Sequence, residues 1–225
     1  MPFNLLPPPN FRGLNSEVPI EIYTRRLPHW RQQGATYFVT FHFADALPKA
    51  RLHELISLRR DWEAKNPPPR SSAAWAEFAR QCFEKVENWM DAGHGACWLK
   101  RQEYATALHD AILRFHAQRY EIGCFTIMAN HCHVVIRPYE GVDVESEVGA
   151  MKKVVTLFIN EQEGLAGPLW QQESYDRIIR DEEHLYRVIQ YIGANPRRAG
   201  VPRAGWWRWV NPLWEQLGWG FRDEA

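Results

Sequence analysis

Apolar and polar positions alternate with the period of a strand over residues 34–43. Tyr37, Val39, Phe41 and Phe43 fall on one face, and Phe38, Thr40 and His42 on the other. A helical period takes over at about 49–65, with Leu52, Leu55, Ile56, Arg59 and Trp62 along the side expected to be buried. The proline-rich tract 66–72 stops it as a surface loop within one domain. The period resumes over 73–91, where Trp75, Phe78, Cys82, Val86, Trp89 and Met90 form a stripe that reads as core packing. After a turn at 91–95, a helix is predicted around 101–118, burying Leu108, Ile112, Leu113 and Phe115. An apolar run at 120–128 then leads into a second at 128–138. Ala129-Asn130 is a possible break, and one long strand and a hairpin both fit the pattern.

A helix near 145–161 places Val148, Met151, Val155, Phe158 and Ile159 inward and Lys152 and Lys153 on its polar side; Gly164, Gly167 and Pro168 end it. Residues 169–180 read as extended. The last strong helix opens with Asp181 as N-cap and Glu182-Glu183 in the first turn, where acids suit the helix dipole. Leu185, Val188, Ile189 and Ile192 form its buried stripe; His184, Tyr191 and Asn195 share one edge, and Pro196 is expected to stop it. Residues 1–20, with Pro7-Pro8-Pro9, read as an irregular arm that packs loosely. A single domain is expected over 21–215, including a helical insertion at 48–95, followed by a tail at 216–225.

Composition narrows the function classes. The chain has 225 residues, is 45% hydrophobic and carries no formal net charge, so it does not bind nucleic acid through bulk charge alone. Four cysteines without a C-x-x-C pair, and no secretory or membrane-length apolar run, imply reduced thiols and a cytoplasmic location.

The chemistry concentrates in Met128-Ala129-Asn130-His131-Cys132-His133-Val134-Val135-Ile136. On a strand, His131 and His133 project from the same face, and two imidazoles side by side are part of a transition-metal site that needs a further ligand. By itself the pair does not separate a metal site from two histidines on an ordinary strand. A histidine-triad hydrolase is set aside because position 135 is Val135.

Together with Trp170-Gln171, the run Tyr175-Asp176-Arg177-Ile178-Ile179-Arg180-Asp181-Glu182-Glu183, and Tyr191-Ile192-Gly193-Ala194-Asn195-Pro196-Arg197-Arg198-Ala199-Gly200, this stretch resembles the REP-associated tyrosine transposases of the HUH single-strand transposase superfamily. The resemblance runs from about residue 35 to 215. It departs from the family pattern at Ala129, where proline is usual, and at Cys132, where a larger apolar residue is usual. It implies an α+β fold: an antiparallel sheet flanked by helices, the paired histidines on a central strand and the nucleophile on a following helix. By the same resemblance Tyr191 is the nucleophile, and His131, His133 and Asn195 are the metal ligands, with Mg²⁺ or Mn²⁺ as the ion. The implied partner is single-stranded DNA with hairpin or palindromic repeats, bound by a monomer or homodimer.

The implied activity is a metal-dependent single-stranded DNA endonuclease and strand transferase acting through a 5′-phosphotyrosine; the alternative is a domesticated hairpin-binding protein that does not cut. Lys152, Lys153, Arg177, Arg180, Arg197 and Arg198 are the candidate DNA contacts, with Trp206, Trp207 and Trp209 as candidate base platforms. Tyr175 and Tyr186 are the rival nucleophiles. Tyr186 lies five residues before Tyr191, roughly 140° away around the helix.

Overall fold

The computed structural model describes residues 4–24 and 28–223. A two-stranded antiparallel ribbon, β1 (Glu21–Thr24) and β2 (Pro28–Arg31), precedes the main sheet. The sheet is built from β3 (Tyr37–His42), β4 (Tyr120–Ile127), β5 (His131–Pro138), β6 (Tyr175–Ile178) and β7 (Trp207–Val210), in the order β6-β3-β5-β4-β7 with every pairing antiparallel. The fold is α+β, and the strand carrying His131 and His133 is the central one. The two apolar runs at 120–138 are a hairpin, β4 and β5, turning through residues 128–130, where Met128 N–H donates to the His131 carbonyl at 2.9 Å.

The alternation in β3 assigns its two faces as the sequence predicts. Tyr37, Val39 and Phe41 join Cys132, Val134 and Ile136 in a core closed by α3 (Gln102–Leu113) and α4 (Val144–Glu163). Phe38, Cys124 and Val135 face the other way, against Leu185, Val188, Ile189 and Ile192 of α5 (Glu182–Arg198) and against Trp214 of α6 (Pro212–Gln216). His131 and His133, in phase with Val135, therefore point to the α5 side.

Several expectations drawn from local pattern fail. The helix α1 (Lys49–Lys65) forms where predicted, but none of its residues is buried: Leu52 is 41% and Ile56 58% exposed. It packs mainly on its partner α2 (Ser72–Asp91), through Trp62 stacked on Phe78 at 4.5 Å, instead of on the sheet. The helix predicted to 118 ends at Leu113, and Phe115 is left 37% exposed. Lys152, assigned to the polar side of α4, is buried.

Pro196 does not stop α5, which continues to Arg198. The missing Pro196 N–H would orphan the Ile192 carbonyl four residues back, and the Thr126 hydroxyl of β4 donates to that carbonyl at 2.9 Å instead. A neighbouring strand thus supplies the bond that proline removes.

The arm is fastened, not loose. Trp214 Nε1 donates to the Pro9 carbonyl at 2.9 Å and Trp219 Nε1 to the Leu6 carbonyl at 2.8 Å, while Leu14 N–H donates to the Ile179 carbonyl at 2.9 Å. Leu5 and Phe11 pack on the α5-side core, and so does Phe221 from the segment read as a tail. No helix among the described residues is long and apolar enough to cross a membrane.

Candidate metal centre and tyrosine

His131 and His133 are fully buried on the central strand, with ring centroids 4.8 Å apart. Each ring is oriented by a partner on Nδ1. The Asn130 amide donates to the Met90 carbonyl at 3.2 Å and the His94 carbonyl at 2.9 Å, so its oxygen is the atom that meets His131 Nδ1 at 2.8 Å. That oxygen accepts Nδ1–H, and the Nε2 lone pair of His131 is left available and without a partner. His133 Nδ1 lies 2.8 Å from Thr40 Oγ1, its cross-strand neighbour on β3. Burial, and then the neighbouring His133, pull the His131 pKa down to about 3, which keeps this imidazole neutral, the form that ligates metals.

Helix α5 brings Tyr191 and Asn195 to the same place from one turn apart. Asn195 is fully buried, and its Nδ2 lies 3.1 Å from His133 Nε2; its Oδ1 has no partner. Tyr191 is half-buried among His133, Phe38 and Phe83, with ring centroids at 5.7, 6.0 and 6.1 Å, and the Arg198 guanidinium lies 5.2 Å from its ring centre. The four residues singled out as nucleophile and ligands are adjacent, although 60 positions separate His131 from Tyr191 in the chain.

The fifth member was not found in the sequence. Glu87 of α2 is 1% exposed; its Oε2 accepts the Tyr191 hydroxyl and lies 3.2 Å from His133 Nε2, while Oε1 has no partner. Asp91, one turn on, places Oδ1 3.7 Å from His131 Nε2. Burial raises the Glu87 carboxyl, but His133, then His131 and then the Tyr191 hydroxyl outweigh it and hold the group below the usual carboxylate range. Burial, and then the Glu87 charge, raise Asp91 to about 6. Burial, followed by Glu87, pushes the Tyr191 phenol above its ordinary value. The apolar stripe of α2 hid Glu87, because a glutamate between Val86 and Asn88 reads as part of a solvated face. Its one sequence signal is the i, i+4 spacing to Asp91 beside the buried Met90.

Glu87, His131 and His133 offer ligand atoms that all lie within 4.8 Å of one another. Unpartnered buried atoms on His131, Asn195 and Glu87, supplied by imidazole, amide and carboxylate, are the donor set of a divalent ion. These residues fit a metal.

Of the candidate DNA contacts, Arg177 shares the sheet face of Phe38, its cross-strand partner, and is exposed. Arg177 and Arg180 lie near His184 at the start of α5, and Arg197 and Arg198 are exposed at its end. Lys152 and Lys153 are on α4, in the layer across the sheet from Tyr191. Lys152 donates to the carbonyls of Gln171 and Gln172 and to Ser174 Oγ, at 3.1, 3.4 and 2.8 Å, so it holds the segment before β6 in place. Trp207 and Trp209 pack on the α3 side of the core, Trp209 stacked on Phe125 at 5.7 Å. Tyr175 lies on the same sheet face as His133, two strands away through Thr40, and packs on Phe83 at 4.7 Å and Phe38 at 6.5 Å, while Tyr186 faces Trp219.

The fold and site define an antiparallel α+β protein with a buried group of residues that could hold a metal beside a tyrosine. Among solved structures, the chain is similar to a REP-associated tyrosine transposase bound to a REP hairpin, at 18% identity and a TM-score of 0.47, covering 80% of this chain and 77% of that one. No family model and no curated protein matches the chain.

Proposed function

We propose that this protein is a metal-dependent, tyrosine-using nuclease and strand transferase acting on single-stranded DNA that forms hairpins. The observation that carries the reading is the meeting of Tyr191 with His131, His133 and Asn195, residues joined only by the folded chain. The ordered motifs shared with REP-associated tyrosine transposases support the DNA substrate. His131, His133 and Asn195 would hold Mg²⁺ or Mn²⁺, an ion that supplies positive charge to a non-bridging oxygen of the scissile phosphate.

The remaining chemistry belongs to the chain. Tyr191 Oη forms a bond to phosphorus as the bond from phosphorus to the 3′ oxygen breaks, giving a 5′-phosphotyrosine and a free 3′-hydroxyl. The phenol proton leaves toward Glu87 Oε2, its acceptor in the resting site. The departing oxygen takes a proton from solvent. A DNA 3′-hydroxyl attacking the phosphotyrosine runs the same exchange backward, so rejoining needs no nucleotide cofactor. Arg198, against the Tyr191 ring, and Arg177, Arg180 and Arg197 around α5 are the side chains that would meet backbone phosphates in this reading.

The test is incubation of end-labelled hairpin oligonucleotides with the protein and Mn²⁺ or Mg²⁺. A covalent protein–DNA adduct that Tyr191→Phe abolishes, with hairpin binding retained, is the expected result. Adduct formation by the variant overturns Tyr191 as nucleophile. Hairpin binding with no adduct from the wild type favours the non-cleaving alternative.

A further inference from the structure

The α1–α2 hairpin meets the rest of the fold through α2, where Phe83 packs on Phe38 and Met90 is buried. Its seam is the Trp62, Trp75 and Phe78 cluster with the Lys85–Glu54 ion pair at 2.8 Å, and α1 buries nothing. Yet the end of α2 inserts two carboxylates into the site. Among the described residues, the carboxylates within 4 Å of either imidazole are Glu87 and Asp91, both from this helix. The other donors are neutral amides or imidazoles. Among the described residues, the carboxylate charge nearest a dication between the histidines therefore comes from the hairpin.

We propose that Glu87 ligates the same divalent ion as His131 and His133, so that the ion fastens the α1–α2 hairpin over Tyr191. The inference rests on the reading that the two histidines hold an ion. Ligands of a single ion with bonds of roughly 2.1 Å stand about 3 to 4 Å apart, and the three donor atoms here lie within 4.8 Å, so a side-chain adjustment of about 1 Å closes the set. Glu87 Oε1 and His131 Nε2 are both buried without a partner, and one ion satisfies both.

Hydrogen–deuterium exchange of the full chain with EDTA or with Mn²⁺, paired with titration calorimetry, tests the coupling. In the wild type, Mn²⁺ slows exchange across residues 72–91. Glu87→Gln weakens Mn²⁺ binding by at least the 10–100-fold that an outer-shell partner carries, and the ion no longer protects the helix. Comparison of the wild type with and without Mn²⁺ needs no variant to fold, and unchanged exchange in 72–91 overturns the proposal. Wild-type affinity and protection in Glu87→Gln, with binding lost in the double variant His131→Ala/His133→Ala, overturns this inference alone. Undiminished binding in the double variant overturns the metal reading and the inference with it.

Discussion

The hydroxyl of Tyr191 donates to Glu87, 104 residues earlier in the chain, and the accepting oxygen also faces His133 Nε2 at 3.2 Å. The contact ties the helix of the tyrosine to the helix that covers it. It leaves the phenol protonated at rest, since burial and the adjacent carboxylate both oppose loss of its proton.

Tyr191→Phe should therefore cost stability as well as the adduct. The variant removes a donor to a buried carboxylate, and the expected loss is about 1.5–3 kcal/mol by chemical denaturation in EDTA. A variant as stable as the wild type would show that the bond is not held in solution.

Asn130 fixes the His131 tautomer and closes the turn after α2. Asn130→Ala is expected to weaken Mn²⁺ binding about 10–100-fold, measured by calorimetry, while the histidines stay in place.

Thr126 and Pro196 act as a pair across β4 and α5. Thr126→Val leaves the Ile192 carbonyl unsatisfied and is expected to cost about 1–3 kcal/mol. Adding Pro196→Ala returns an N–H to the same carbonyl, so the double variant should recover much of that loss; a strictly additive double-mutant cycle would count against the exchange.

Gly123 lies where β4 shifts register, and a Cβ there would sit 2.3 Å from Trp214 Cζ3. The ring is fully buried and held by its bond to Pro9, so it has little room to yield. Gly123→Ala should destabilise the protein by about 1–3 kcal/mol or more and loosen the N-terminal arm, read as faster proteolysis ahead of residue 20.

Burial lowers Lys152 from its ordinary 10.5 to about 8. Between those values the unfolded chain binds more protons than the folded one, so this group makes stability rise with pH through that window, by at most about 3 kcal/mol. Below pH 8 its penalty is constant. Lys152→Met should flatten that rise in denaturation curves taken from pH 8 to 10.5.

The sequence carried the elements whose signals are local. Alternation in 37–43 fixed which residues of β3 face which layer, because side chains on a strand have a period of two. Asp181 marked the start of α5, and its side chain accepts from His184 N–H at 2.7 Å as a capping residue does. The His-x-His spacing put both imidazoles on one face, and the spacing of four put Tyr191 and Asn195 on one edge.

What periodicity does not encode is which faces meet. Both ends of the Tyr191–Glu87 bond lie on amphipathic helices, and helical spacing alone cannot assign a glutamate to a partner in another layer. The same holds for Lys152, whose charge marked it as exposed until the segment before β6 closed over it. Pro196 reads as a stop because the rule is local; Thr126, from a strand 66 residues away in sequence from Ile192, removed the reason for stopping. The sequence alone marked β3, the main helices and two residue pairs, His131 with His133 and Tyr191 with Asn195; it marked neither β1, β2 and β7 nor the hairpin of β4 and β5. Only tertiary structure decided that α2 closes that site with Glu87, because that contact depends on the packing of layers and leaves no period in the chain.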